Sequence, residues 1–224
     1  MRSAVAVMAR DESSHKMATT IGAASVLSPD MVHSISVRHP DLAAPTRGCE
    51  PYFLFQANAQ LIARVGEERI ARSLAVIAAA TKWRPAFFGA GTARHHDRAD
   101  LYDGITAILR AFAPTVRPMG ITTRNPMSLA SYIAGSQLWV GSSLHGRIIA
   151  SSFALPRVSL ENLKVASYAA TWDPDFPVNV AFDRLAESVA EAVTAAGSAN
   201  SADVSRHIAS VADESTAALV RDFL

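Results

Sequence analysis

The 224-residue sequence has 21 Lys and Arg against 20 Asp and Glu, and 50% of its residues are hydrophobic. This composition is typical of a globular protein, and it excludes a disordered chain and a strong overall field for nucleic acids or anionic membranes. The single cysteine, Cys49, cannot form an internal disulfide, which favours a cytoplasmic location. We predict no membrane span, because the longest apolar run, 74–80, is far shorter than the ~20 residues required.

Residues 1–50 lack the sustained periodicity of a complete domain. Residues 23–27 resemble a strand, and Ser28-Pro29-Asp30 predicts a turn directly after it. We interpret residues 1–50 as the remnant of an N-terminal domain or as an irregular segment.

From residue 51 onward, short apolar runs alternate with segments of helical periodicity. The aromatic run Tyr52-Phe53-Leu54-Phe55-Gln56 predicts a strand buried on both faces. Because helical segments separate the strands, residues 51–197 are predicted to form a Rossmann-like α/β domain, with a mostly parallel sheet and helices on both faces. Residues 198–224 are predicted to form a joint and a C-terminal amphipathic helix. The flexible stretch of the joint is expected at 197–202. Further strands are predicted at 85–88, 116–121, 138–140 and 157–160, and helices at 66–81, 100–112, 125–133, 148–153 and 183–196.

One predicted strand-to-helix turn, Ser142-Ser143-Leu144-His145-Gly146-Arg147, concentrates polar and cationic groups. Ligands of open α/β sheets collect at the carboxyl ends of strands, where helix N-termini attract anions. The two serine hydroxyls could bind a phosphate, Gly146 would admit the ligand close to the backbone, and Arg147 would add charge. We therefore predict an anionic donor here, with His145 as the functional imidazole. The alternative is that a serine caps the helix and His145 is a surface or packing residue.

Four more residues follow predicted strands at the same edge of the sheet. Lys164 lies beyond the fifth strand and Arg124 beyond the third, while Gln56 and Asn58 follow the first. We predict that these side chains contact the ligand. A solvated lysine and a turn-stabilising asparagine remain the simpler interpretations of Lys164 and Asn58.

Two other segments do not support a cofactor or metal site. Gly89-Ala90-Gly91 lacks the third element of a dinucleotide fingerprint, so it predicts only a tight turn. His95-His96-Asp97 is interpreted as a solvated loop, because adjacent histidines diverge on a regular backbone. We expect neither a metal nor a cofactor.

A longer stretch around the turn resembles a known family. The run Ala134-Gly135-Ser136-Gln137-Leu138-Trp139-Val140-Gly141-Ser142-Ser143-Leu144-His145-Gly146-Arg147-Ile148-Ile149-Ala150, then Phe153-Ala154-Leu155-Pro156 and then Lys164, resembles the C-terminal part of the polysaccharide pyruvyl transferase family. In that family a strand leads into an Arg-Leu-His-Gly or Ser-Leu-His-Gly turn, an apolar helix, a Gly-x-Pro or similar turn, a strand and a lysine. The similarity covers about residues 51–173. Ser28-Pro29-Asp30 is similar to the Pro-Asp near the end of the family's first domain.

The resemblance implies a two-domain fold of the GT-B type, of which this chain would supply the C-terminal half. It also implies transfer of the enolpyruvyl unit of phosphoenolpyruvate to a sugar, as a ketal across two hydroxyls, in exopolysaccharide or cell-surface polysaccharide biosynthesis. By resemblance, His145 and Lys164 would bind or protonate the donor, and the backbone around Gly146 would approach its phosphate. The sequence departs from the family at Ser143, where many members have arginine, and most of the N-terminal half has no counterpart.

Two alternatives stay open. One is a GT-B nucleotide-sugar glycosyltransferase, in which Glu161 would hold the ribose. The other is a truncated, non-catalytic binding domain. The expected partners are a small anionic donor and a saccharide acceptor, and a second chain that supplies the missing half is a further option; no nucleic-acid partner is expected.

Overall fold

The computed structural model describes residues 7–43, 50–89 and 100–223. Residues 7–43 begin with a small β-α-β unit, in which two short strands pair in parallel and Asp11 caps the connecting helix by accepting a hydrogen bond from the Ser14 N–H. The strand predicted at 23–27 is confirmed. Cys49, the loop His95-His96-Asp97 and most of Gly89-Ala90-Gly91 lie outside the described residues. We call residues 7–43 the N-terminal unit. Its elements are β1 (Val7–Ala9), α1 (Glu12–Thr20), β2 (Ser25–Leu27), a 3-10 helix (Met31–Ser34), α2 (Ile35–Arg38) and a second 3-10 helix (Pro40–Ala43).

A five-stranded parallel sheet forms the centre of the remaining chain, which confirms the predicted Rossmann-like α/β class. Its strands are β3 (Tyr52–Gln56), β4 (Arg84–Phe88), β5 (Met119–Ile121), β6 (Trp139–Gly141) and β7 (Arg157–Ser159). The spatial order is β5-β4-β3-β6-β7, so the chain moves outward from β3 and then returns to place β6 on the other side of β3. The order of connection therefore reverses between β3 and β6, where ligands of such sheets usually bind.

Helices cover both faces of this sheet. Asn125 caps α6 and Pro126 occupies its first position, as the Asn-Pro pair predicts. The helix after β6 begins earlier than predicted, and α8 was not predicted. The helices are α3 (Ala59–Val65), α4 (Glu67–Thr81), α5 (Asp103–Phe112), α6 (Pro126–Ala134), α7 (Leu144–Ser152), α8 (Leu163–Trp172), α9 (Leu185–Ala196, preceded by a 3-10 turn) and α10 (Ala199–Phe223).

Side chains of β3 alternate between two cores. Phe53 and Phe55 pack in the larger cluster under α4, α5 and α9, whereas Tyr52 and Leu54 pack in a smaller cluster with residues of α6 and α7. All five residues of β3 are buried, which confirms the prediction of a strand covered on both faces. The alternation follows from the two-residue period of a strand.

Most of the predicted flexible joint at 197–202 is helical in the structure. Gly197 has helix-like dihedral angles (φ −74°, ψ −8°), and α10 starts two residues later. This long helix packs back on the 3-10 helix Met31–Ser34, on α2 and on α7, and Arg38 of α2 pairs with Asp213 at 2.5 Å. Within the described ranges, no helix is long and apolar enough to cross a membrane.

Candidate functional site

The carboxyl ends of β3, β6 and β7 are joined by hydrogen bonds. Gln56 at the end of β3 is buried, and its Oε1 accepts from the Ser142 N–H at 3.0 Å and from the Ser142 hydroxyl at 3.2 Å. Asn162, which follows β7, donates from Nδ2 to the Ser142 carbonyl at 2.7 Å. Gln56 and Ser142 were predicted to contact a ligand, but the contacts seen here connect them to each other. Gln56, Ser142 and Asn162 thus form a hydrogen-bonded frame at the point where the strand order reverses.

The N-terminus of α7 stands on this frame. Ser143 is its N-cap, and the Ser143 hydroxyl accepts a hydrogen bond from the Gly146 N–H at 3.3 Å. The N–H groups of Leu144 and His145 have no acceptor among the described residues, as expected for the first turn of a helix. The His145 side chain is 62% exposed. The helix therefore presents two free donors, its positive dipole end and an accessible imidazole at one place.

The N-terminal unit adds charged groups beside His145. His145 Nε2 lies 3.9 Å from Asp30 Oδ2, and the same carboxylate oxygen accepts from Arg10 at 3.0 Å. Asp30 belongs to the Ser28-Pro29-Asp30 turn, and Arg10 directly follows β1. The sequence predicts this turn, but neither the turn nor Arg10 was among the predicted ligand-binding residues. Their proximity to His145 depends on how the two parts of the chain pack.

Gly146 has a different role from the one predicted. A Cβ at this position would lie 2.2 Å from a ring carbon of Trp139, and Gly146 is buried. Gly141 is restricted by the same ring, at 2.6 Å. The glycine therefore makes room for the indole beneath the helix.

Arg147 does not face the free end of α7. It is fully buried, and its Nε donates to the Asp173 carboxylate at 2.8 Å. The other guanidinium donors contact the Ser159 hydroxyl and the carbonyls of Asp173, Phe176 and Pro177 at 3.0–3.2 Å. All five N–H groups thus have internal acceptors. We remove Arg147 from the set of candidate ligand-binding residues.

A second arginine completes this buried cluster. Arg157 of β7 also pairs with Asp173, and its guanidinium stacks on the Phe176 ring at 3.5 Å. Burial alone would raise the pKa of the Asp173 carboxyl, but the charges of Arg147 and Arg157 outweigh burial and lower the pKa. The cluster fixes α7 to the segment after α8.

The other predicted residues are distributed along the same edge. Lys164 is exposed in the first turn of α8, next to the Asn162 cap. Arg124 is exposed after β5, three strand spacings or about 14 Å from β6 in the sheet plane. Asn58 caps α3 by accepting from the Leu61 N–H at 2.8 Å, so the turn-stabilising interpretation fits its contact.

A buried polar pair lies behind Asp30. His33 Nδ1 is 3.1 Å from the Tyr168 hydroxyl, which also accepts from the Asp30 N–H at 3.3 Å. Burial lowers the pKa of His33 to about 4 and raises the pKa of Tyr168, so both side chains are neutral near pH 7. Further contacts hold the N-terminal unit on α8, including a hydrogen bond from Trp172 Nε1 to the Arg10 carbonyl at 2.8 Å.

The parallel sheet, its flanking helices and the reversal of strand order define a Rossmann-like α/β fold. The family model for polysaccharide pyruvyl transferase matches residues 1–164 of the 224-residue chain. The chain therefore belongs to this family. No curated protein matches the sequence significantly.

Solved structures resemble the chain in fold. UDP-GlcNAc 2-epimerase from Neisseria meningitidis has a TM-score of 0.60 at 13% identity, over 91% of this chain and 59% of the epimerase. The corresponding epimerase from Methanocaldococcus jannaschii has a TM-score of 0.57 at 11% identity, over 83% and 53%. Sucrose-phosphate synthase from Thermosynechococcus elongatus has a TM-score of 0.55 at 13% identity, over 98% and 59%. The chain thus spans little more than half the length of these proteins.

Proposed function

We propose that the chain binds phosphoenolpyruvate at the N-terminus of α7 and takes part in transfer of its pyruvyl group to a saccharide. The observation that carries the proposal is the exposed His145 beside two free N–H groups, at the point where the strand order reverses. Family membership supports this class of reaction. The proposed setting is exopolysaccharide or cell-surface polysaccharide synthesis in the cytoplasm.

The negative charge of phosphoenolpyruvate explains where this donor would bind. Phosphoenolpyruvate carries a phosphate and a carboxylate, and such groups are stabilised by free N–H donors at a helix N-terminus. The N–H groups of Leu144 and His145 would hold one anionic group. Lys164 at the start of α8 and Arg10, whose side chain is 42% exposed, would supply positive charge from the two flanking elements. Lys164 and Arg10 would thus supply the positive charge that was first expected from Arg147.

The chemical step needs an acid. In the proposed reaction His145 transfers a proton to the methylene carbon of the donor, so that its neighbouring carbon becomes cationic. A saccharide hydroxyl attacks that carbon, and the displaced phosphate leaves when a second hydroxyl closes the ketal. The two hydroxyl protons return to His145 and to the released phosphate or solvent. Imidazole suits this exchange because its ordinary pKa lies near neutral pH.

Donor binding can be tested on this chain by calorimetry with phosphoenolpyruvate. We expect His145→Ala and Lys164→Ala to weaken binding by about 10-fold or more, because a hydrogen bond to a charged group contributes about 1.5–3 kcal/mol. His207→Ala and Lys16→Ala replace exposed residues of α10 and α1 and serve as matched controls. A folded wild-type chain that fails to bind phosphoenolpyruvate, or binding that all four variants retain, would contradict the proposal.

A nucleotide-sugar glycosyltransferase is the competing proposal, since two of the similar structures contain bound UDP-GlcNAc. That function would use Glu161 to hold the ribose, but the Glu161 carboxylate already pairs with Arg64 at 2.6 Å. Calorimetry with UDP-GlcNAc in place of phosphoenolpyruvate separates the two donors. If phosphoenolpyruvate binds but no saccharide is pyruvylated, a binding domain that requires another chain is favoured.

A further inference from the structure

The Asp30 carboxylate of the N-terminal unit lies close to the His145 imidazole of α7 at the candidate site. Asp30 Oδ2 and His145 Nε2 are 3.9 Å apart, beyond hydrogen-bond distance but within reach of an ion pair when the imidazole carries a proton. The two side chains differ in exposure, at 11% for Asp30 and 62% for His145. A sheltered carboxylate therefore lies beside an accessible imidazole.

Three contacts hold Asp30 in place. Its Oδ1 accepts from the Val32 N–H at 3.1 Å and caps the 3-10 helix that begins at Met31. Its Oδ2 accepts from Arg10 at 3.0 Å. Its backbone N–H donates to the Tyr168 hydroxyl of α8 at 3.3 Å. The first two contacts hold the carboxylate and the third ties the backbone of Asp30 to α8, with Oδ2 on the side of His145.

We propose that Asp30 is a positioning residue for His145. The carboxylate attracts the protonated imidazole and turns Nε2 toward the N-terminal unit. It also stabilises the positive charge of the imidazole while the donor is bound. Asp30 does not itself contact the donor in this arrangement. The inference rests on the proposed function for its role in the reaction, but the Asp30–His145 interaction is testable without it.

Several charged and titratable groups surround this pair. Arg10 shares the Asp30 carboxylate, and the His33–Tyr168 pair lies behind it, with both members neutral near pH 7. Among the described residues, Asp30 is the only one whose carboxylate lies within ion-pair distance of His145. Removal of its charge would also leave the Arg10 charge uncompensated. Both changes disfavour a protonated His145.

The direct test follows the His145 Cε1–H resonance by proton NMR as a function of pH. The resonance is assigned by its loss in His145→Gln. For Asp30→Asn we expect the midpoint of the transition to fall, because the variant lacks the carboxylate charge that lies 3.9 Å from Nε2. Asn retains the capping contact with the Val32 N–H, so the variant should fold.

Matched variants separate this effect from general changes of charge. Asp203→Asn removes the carboxylate of another Arg–Asp pair, the exposed Arg206–Asp203 pair within α10, and should leave the His145 midpoint unchanged. Asp30→Glu keeps the charge and should retain most of the wild-type midpoint. In the wild-type protein, 0.5 M NaCl should lower the midpoint, because the His145 side of the pair is accessible to solvent and salt screens the attraction. This last measurement does not depend on the folding of any variant.

An unchanged midpoint in folded Asp30→Asn, or in the wild-type protein at high salt, would overturn the inference. Calorimetry distinguishes its failure from failure of the proposed function. If the midpoint depends on Asp30 but the wild-type chain does not bind phosphoenolpyruvate, the pair exists and the donor assignment is wrong. If phosphoenolpyruvate binds through His145 and the His145 midpoint is the same in Asp30→Asn as in the wild-type protein, only the positioning role of Asp30 is refuted.

Discussion

His33 makes the folded protein sensitive to mild acid. The side chain is fully buried between the N-terminal unit and α8, and its Nε2 has no hydrogen-bond partner within the described residues. Burial lowers its pKa from 6.5 to about 4, although the nearby Asp173 carboxylate partly opposes the change. The unfolded chain therefore binds a proton at a higher pH than the folded chain, and stability falls as the pH drops from about 6.5 toward 4.

The size of the effect follows from the two pKa values. Between pH 7 and pH 5, His33 should reduce the free energy of unfolding by about 2 kcal/mol. His33→Asn removes the titration while its amide can still contact the Tyr168 hydroxyl. Urea denaturation at pH 7 and pH 5 should thus show a loss of stability about 2 kcal/mol smaller in His33→Asn than in the wild-type protein.

A control isolates the buried histidine. His207→Asn replaces an exposed histidine of α10 and should show the same pH dependence as the wild-type protein. Carboxylates such as Asp173 also titrate in acid, but they are common to all three proteins. Equal losses of stability between pH 7 and pH 5 in wild type and His33→Asn would refute this account of His33.

Two further substitutions test the packing beneath α7. Gly146→Ala should lower the free energy of unfolding by about 1–3 kcal/mol in urea denaturation, because the new methyl group would overlap the Trp139 ring. Gly197→Ala, whose Cβ would meet no atom closer than 3.5 Å, should change stability by less than about 1 kcal/mol, and equal effects of the two would contradict the steric explanation. Arg147→Met should cost about 2 kcal/mol or more, because it leaves buried acceptors, including the carbonyls of Phe176 and Pro177, without donors. Arg72→Met removes an exposed ion pair and should cost at most about 1 kcal/mol in the same assay, so a neutral Arg147→Met would show that the buried cluster does not stabilise the fold.

Much of the fold could be predicted from local sequence. The aromatic run 52–56 is buried on both faces, and the Asn125-Pro126 pair starts a helix where capping rules place one. These features depend on residues a few positions apart. Gly197 shows the limit of such rules, because a glycine in a helix-like conformation did not separate α9 from α10 by a flexible joint.

The candidate site was harder to predict because its contacts join distant parts of the sequence. An arginine in the first turns of a helix can face a ligand or the core, and Asp173, 26 residues further on, directs Arg147 inward. The space beside Gly146 is occupied by Trp139 on the preceding strand. Asp30 lies near His145 only because the N-terminal unit packs against α7 and α8. Local spacing contains none of this information.

The return of α10 to the N-terminal unit has a consequence for folding kinetics. The Arg38–Asp213 contact joins residues 175 positions apart, and closing so long a loop costs conformational entropy before any contact repays it. The five-stranded sheet is built from shorter connections and can assemble first. We therefore expect the contacts between α10 and the 3-10 helix that carries Asp30 to form after the sheet, and the geometry beside His145 to depend on them.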